Sequence, residues 1–207
     1  MAAWDVVRHR AAIAGRVTEA TSGKPLPGAR VEITAAPPAF QSRLALQAQA
    51  AGRGWPALAE RPDRTRAALD GHFHFLDLPA GDYTLTATLP GGGSRYGQAT
   101  GQVTLALDPQ GQVGLQTADL AIPSTGIKGK VVDGDANAVP MAEVRLRGSG
   151  ESTYSDAQGR YALTGLEAGS RELVVAARGF QQKAQTVALA QAGAVADVQV
   201  TLQPAAP

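Results

Sequence analysis

The chain repeats itself, and the repeat limits its fold more than any other feature. Ile13-Ala-Gly15-Arg-Val17 aligns with Ile127-Lys-Gly129-Lys-Val131. Pro27-Gly-Ala29-Arg-Val31-Glu-Ile33 aligns with Pro140-Met-Ala142-Glu-Val144-Arg-Leu146. The strongest match is Asp70-Gly71-His-Phe73-His-Phe75-Leu-Asp-Leu78-Pro-Ala-Gly81-Asp-Tyr-Thr-Leu85 with Gln158-Gly159-Arg-Tyr161-Ala-Leu163-Thr-Gly-Leu166-Glu-Ala-Gly169-Ser-Arg-Glu-Leu173. Tyr96 then matches Phe180, Val103 and Leu105 match Val187 and Leu189, and Asp119-Leu120 matches Asp197-Val198.

Each block alternates apolar and polar residues with the period of a strand that is buried on one face. Ile13, Gly15 and Val17 point one way, and Ala14 and Arg16 the other. The central glycine permits a close backbone approach or a bend. Asp70-Gly71 is a hairpin turn, and Phe73 and Phe75 after it face a core. Gly and Pro, 24 and 13 of 207 residues, are spread along the chain as turn punctuation. The pattern is all-β: two tandem seven-stranded antiparallel Greek-key sandwiches. The first is expected over residues 11–122 and the second over 126–203. A ten-residue arm precedes them, and a frayed tail, 204–207, follows.

These blocks resemble the carboxypeptidase regulatory-like module, a prealbumin-like sandwich. The resemblance rests on I-x-G-x-V, P-x-A-x-V, D-x-x-G-x-[FY]-x-[FL] and L-x-x-G-x-Y/R-x-L. It covers both copies but not the N-terminal arm or one insertion. These are core and turn positions, so they speak for fold more than function. The resemblance implies an accessory module of the kind that accompanies peptidases, surface receptors, adhesins and phage-tail-like contractile injection particles. No peptidase domain is present in this chain.

Composition narrows the chemistry. The formal net charge of +1 gives no reason to expect a nucleic-acid partner. The absence of cysteine removes disulfides and thiol chemistry. No run approaches the roughly 18 apolar residues of a membrane span, so no membrane insertion is expected. The opening MAAWDVVRHR lacks the apolar core of a signal peptide. The expectation is therefore cytoplasmic synthesis, with a final place in a released particle.

Few residues have the makings of a catalytic or metal site, and no cofactor or small-molecule substrate is expected. His72 and His74 could supply two metal ligands, but no third is identifiable and both fall on the polar face of their strand. Lys128 and Lys130, with Asp197 and Glu143, are the nearest set for a self-formed isopeptide bond, and Asn137, the chain's one Asn, sits in a turn. The lysines, however, are out of phase with the buried positions. Ser94 and Ser149 lie in glycine turns without a recognisable general base.

The copies differ most between Ile33 and Gly71, where the first carries an insertion over 37–68. Phe40, Leu44, Gln47 and Ala51 can share one face of a short helix there. Arg43, Arg53, Arg61, Arg64 and Arg66 outnumber Glu60 and Asp63. Arginine and aromatic residues suit a protein interface. The expected partner-binding residues are Trp4, Phe40, Arg43, Leu44, Trp55, Arg64 and Arg66, and the expected partners are other proteins of a larger assembly. Deleting 37–67 is expected to leave the fold intact. A carbohydrate- or surface-binding module of a secreted or cell-envelope protein is the alternative, with Trp4, Trp55 and Tyr154 as the free aromatics.

Overall fold

The computed structural model describes residues 10–58 and 61–205. The chain divides into two units. The first runs to Pro90 and includes Gln98–Ile122; the second comprises Gly91–Gly97 and Pro123 onward.

The first unit contains β1 (Ala11–Glu19), β2 (Arg30–Ala35), α1 (Pro38–Ala51), a 3₁₀ turn (Gly52–Ala57) and β3 (Arg64–Arg66). It continues with β4 (His72–Leu76), β5 (Gly81–Thr88), β6 (Gln98–Leu105), β7 (Gln116–Thr117) and β8 (Leu120–Ile122). One sheet runs β3-β2-β5-β6; in the other, β1 lies between β4 and the β7–β8 pair. Because β7 and β8 lie along the same neighbour, they are one strand broken in the middle, leaving seven strand positions. The alternation places Ile13, Val17, Phe73, Phe75, Tyr83 and Leu85 inward, each nearly without solvent exposure. Each such side chain contributes roughly 1.5–3 kcal/mol of burial.

The second unit repeats this plan with β9 (Gly126–Val132), β10 (Glu143–Leu146), β11 (Ser152–Tyr154) and β12 (Arg160–Thr164). Then follow β13 (Gly169–Ala176), β14 (Lys183–Leu189), β15 (Val195–Asp197) and β16 (Val200–Thr201). One sheet is β11-β10-β13-β14; the other has β9 between β12 and the broken strand β15–β16. Ile127, Val131, Val144, Leu166, Leu173 and Leu202 form the centre of its core.

The structure corrects three expectations. The sandwiches are not purely antiparallel: β7 and β8 run parallel to β1, and β15 and β16 run parallel to β9. The last repeat match is displaced by two residues. Leu120 lies opposite Val17 and Val200 opposite Val131, so the counterpart of Leu120 is Val200 rather than Val198. The tail is tied down as far as Ala205, whose N–H donates to the Gly179 carbonyl at 2.9 Å.

The break in each closing strand explains the glycine at the centre of β1 and β9. A Cβ at Gly15 would lie 2.0 Å from the Ala118 carbonyl oxygen, and one at Gly129 would lie 1.8 Å from that of Val198. Asp119 bridges the gap in the first unit, its carboxylate accepting the Arg16 N–H at 2.8 Å. In the second, the Tyr161 hydroxyl donates to the Val198 carbonyl at 2.7 Å.

One turn is solved differently by the two copies. Gly28 has φ 73°, and its counterpart Met141 has φ 57°. An L side chain in this region costs about 1–2 kcal/mol, and glycine loses about 0.5–1 kcal/mol through its freer unfolded chain. Met141 is 71% exposed, so little packing is at stake. Met141→Gly should therefore stabilise the second unit by about 0.5–1 kcal/mol. Urea unfolding should show a higher midpoint at unchanged slope, and a lower midpoint would contradict this account.

Candidate functional site

In the second unit residues 147–151 suffice to join β10 to β11; in the first, β2 and β3 are separated by the whole of 36–63. Proline is suited to the first turn of a helix, and Pro38 opens α1. The alanine-, leucine- and glutamine-rich run after it favours helix. Gly52, at φ 55°, ends it.

Phe40 anchors this helix. It is 1% exposed and meets Tyr83 edge-on, with ring centroids 5.9 Å apart. Pro37 packs over Gly81, where a Cβ would come within 2.3 Å of its ring. Burial pushes the Tyr83 phenol up to about 12, against the opposing pull of the Arg43 charge. Its hydroxyl donates to the Pro79 carbonyl at 2.8 Å. Phe40 is thus a core residue and is not available to a partner, which corrects its place among the expected contact residues. Contrary to the expectation of an intact fold, deletion of 37–67 would also remove β3, the edge strand of its sheet, together with this anchor.

Arginines line the space between the insertion and the neighbouring strands. The Arg43 guanidinium lies 5.2 Å from the Phe40 ring centre and donates to the Asp77 carbonyl at 3.1 Å. Arg61 covers the Trp55 ring at 4.6 Å and pairs in a fork with Asp63, its Nε donating at 2.9 Å. That carboxylate holds the Arg61 guanidinium above its usual range. Arg64 donates to the Leu58 carbonyl. Together with Arg30 and Arg66 these side chains border a cleft of about 1050 Å³.

The other expected contact residues are distributed as follows. Leu44 and Trp55 are half-buried, Arg64 is half-buried and Arg66 is exposed. Trp4 lies outside the described residues. Arg30 was not singled out from the sequence, because it reads as an ordinary outward position of β2. Leu46 on α1, 68% exposed, was also missed. Arg61 takes one face of the Trp55 ring.

His72 and His74 are exposed on β4, and His72 Nδ1 lies 3.1 Å from the Asp70 carboxylate. The His72 backbone N–H holds that carboxylate below its ordinary value. Among the described residues no group of three or more His, Cys, Asp or Glu could hold a metal ion. Lys128 and Lys130 are exposed on β9, outside the core that an isopeptide bond would require. Ser94 donates its hydroxyl to Glu167, which this bond and then Arg95 hold at about 2. So acidic a carboxylate is a poor base, and the pair does not make Ser94 a nucleophile. Among the described residues no helix is long and apolar enough to cross a membrane.

The family profile described as the carboxypeptidase regulatory-like domain matches residues 12–116 and 126–203. A search of curated proteins returns no match. Among solved structures, the shaft pilin SpaA of Lactobacillus rhamnosus GG is 13% identical, with 97% of this chain and 98% of that one covered and a TM-score of 0.41. The Bacillus anthracis TIE protein is 14% identical over 92% of this chain and 33% of its own, with a TM-score of 0.39. A type II cohesin–X-dockerin complex of Acetivibrio cellulolyticus is 12% identical over 39% of this chain and 58% of that one, with a TM-score of 0.33. The chain thus spans about a third of the TIE protein's length and little more than half of the cohesin–X-dockerin chain's, at 33% and 58%.

Proposed function

The chain belongs to the carboxypeptidase regulatory-like domain family, and from that premise we propose that it is a non-catalytic adaptor that binds other proteins of a larger assembly. The observation that carries this reading is the insertion of the first unit. It is a folded, anchored element that the second copy lacks, and it brings arginines and exposed leucines to the surface. A loop this long in a compact domain is usually functional when it is ordered. The specific reading is an accessory component of a phage-tail-like contractile injection particle. Its support is the use of such modules as accessories in those particles.

The test is site-specific photo-crosslinking in the native host from Leu46, with Leu69 in a separate exposed loop as the control. The expected result is a discrete adduct from Leu46 that sediments with a high-mass assembly. Sheath, tube or baseplate proteins in that adduct would support the particle. A Leu46 position that crosslinks no more than Leu69 would sink the adaptor reading.

A further inference from the structure

We infer that the arginine cleft of the first unit is a docking site for an acidic peptide segment, with interspersed apolar residues, of a partner protein; this rests on the adaptor reading above. Arg30, Arg43, Arg61, Arg64 and Arg66 border it, with His74 on the β4 side. Among its described lining residues Asp77 is the acid; beside the cleft Asp63 is engaged by Arg61, and Glu32, opposite Arg64 on β2, also acts on Arg61, so five arginines still outnumber three acids. The chain as a whole is close to neutral, at +1. The positive charge is therefore a property of this place rather than of the protein.

The cleft divides into a frame and an offered pair. Arg43, Arg61 and Arg64 are held by the Asp77 carbonyl, Asp63 and the Leu58 carbonyl. Arg30 and Arg66 have no hydrogen bond or ion pair from their side chains among the described residues. They stand directly opposite one another on β2 and β3. Cross-strand partners project to the same face, and like charges so placed destabilise a sheet. A local conflict of this kind is the signature of a site kept for another purpose. A carboxylate between them would turn repulsion into two charge-assisted bonds, and the guanidinium fork suits a carboxylate's geometry.

The apolar lining selects among anions. Pro56, Leu58 and Leu76 share the lining with the arginines and would receive aliphatic side chains. Nucleic acid and glycans favour open aromatic faces for stacking. Here Arg61 already occupies one face of the Trp55 ring, and Phe75 is 3% exposed. β3 and β4 are each at the edge of their sheet, so an extended peptide would also find unpaired strand edges beside the cleft.

The test uses the full chain and a fluorescent peptide of alternating glutamate and leucine, read by anisotropy at low and high salt. Wild-type protein should bind it, more weakly as salt rises. The Arg30→Gln/Arg66→Gln double variant should bind about tenfold more weakly or worse. Its melting temperature should be equal or higher, since a repulsive pair is removed, which separates lost binding from lost folding. No binding at low salt, or equal binding by the double variant, would overturn the inference. So would equal or tighter binding of single-stranded DNA or a sulfated glycan under the same conditions. If the Leu46 crosslink to a protein partner survives in the double variant, the adaptor reading stands and the cleft inference falls.

Discussion

Gly129→Ala should unfold the second unit under conditions in which the wild-type unit is fully folded. The added Cβ would lie 1.8 Å from the Val198 carbonyl oxygen and 2.6 Å from its carbon. No side-chain rotation relieves this, because the obstacle is backbone. Moving that carbonyl breaks the bond it accepts from Tyr161 and pulls on the Val198 N–H that donates to Lys128 at 2.7 Å. Overpacking typically costs about 1–3 kcal/mol, occasionally more. Here a buried hydrogen bond worth about 1 kcal/mol is lost with it. The expected destabilisation is at least about 3 kcal/mol, a large part of the 5–15 kcal/mol that holds a small domain. Hydrogen exchange along β9 and β12 should rise, while β1 and β4 keep their protection. Wild-type protection in β9 of the variant would mean that the carbonyl does not sit over Gly129.

Gly129 also marks how far the sequence could be read. Its place in Ile127-Lys-Gly129-Lys-Val131 was legible as a close approach, because a glycine stood where the alternation called for an inward side chain. What approaches it was not legible. The break between β15 and β16 leaves Val198 outside the ladder, and a strand of two or three residues carries too little alternation to reveal its register. That is why Asp197 was matched to Asp119. The parallel closure was hidden for the same reason, since short runs look alike in either direction.

Inward strand positions such as Phe73 and Phe75 were legible because a period of two allows only two faces. The cleft was not. Arg30 faces Arg66 only through the β2–β3 register, and that register depends on how the long insertion returns. Phe40 was misassigned because an aromatic residue in an inserted helix looks the same whether it turns inward or outward. One signal was present. Tyr83 stands where the second copy has Arg171, which reaches back to the carbonyls of Glu167 and Ala168. An aromatic replacing a turn-capping arginine only in the copy with the insertion points to a ring that needs a neighbour.

Phe40→Ala tests that neighbour and should have the second largest effect. A buried Phe truncated to Ala commonly costs about 3–5 kcal/mol. The loss here has a ceiling, because α1 can leave the surface instead of enclosing a cavity. The cost then equals the docking free energy of the insertion, and we expect about 2–4 kcal/mol. Undocking has its own signature. Exchange across α1 should approach that of an isolated helix, which at 14 residues is marginal in water. The Tyr83 phenol, pushed up to about 12 by burial, should fall toward the roughly 10 of an exposed tyrosine. NMR titration of the Tyr83 ring would record it. Phe40→Leu, which keeps most of the apolar contact, should preserve both protection and titration. If Phe40→Ala leaves α1 protected and Tyr83 unmoved, the insertion is held by something other than this ring pair. If α1 is released, Arg43 goes with it and one wall of the arginine cleft is lost, so acidic-peptide binding should weaken in Phe40→Ala although no arginine has been changed.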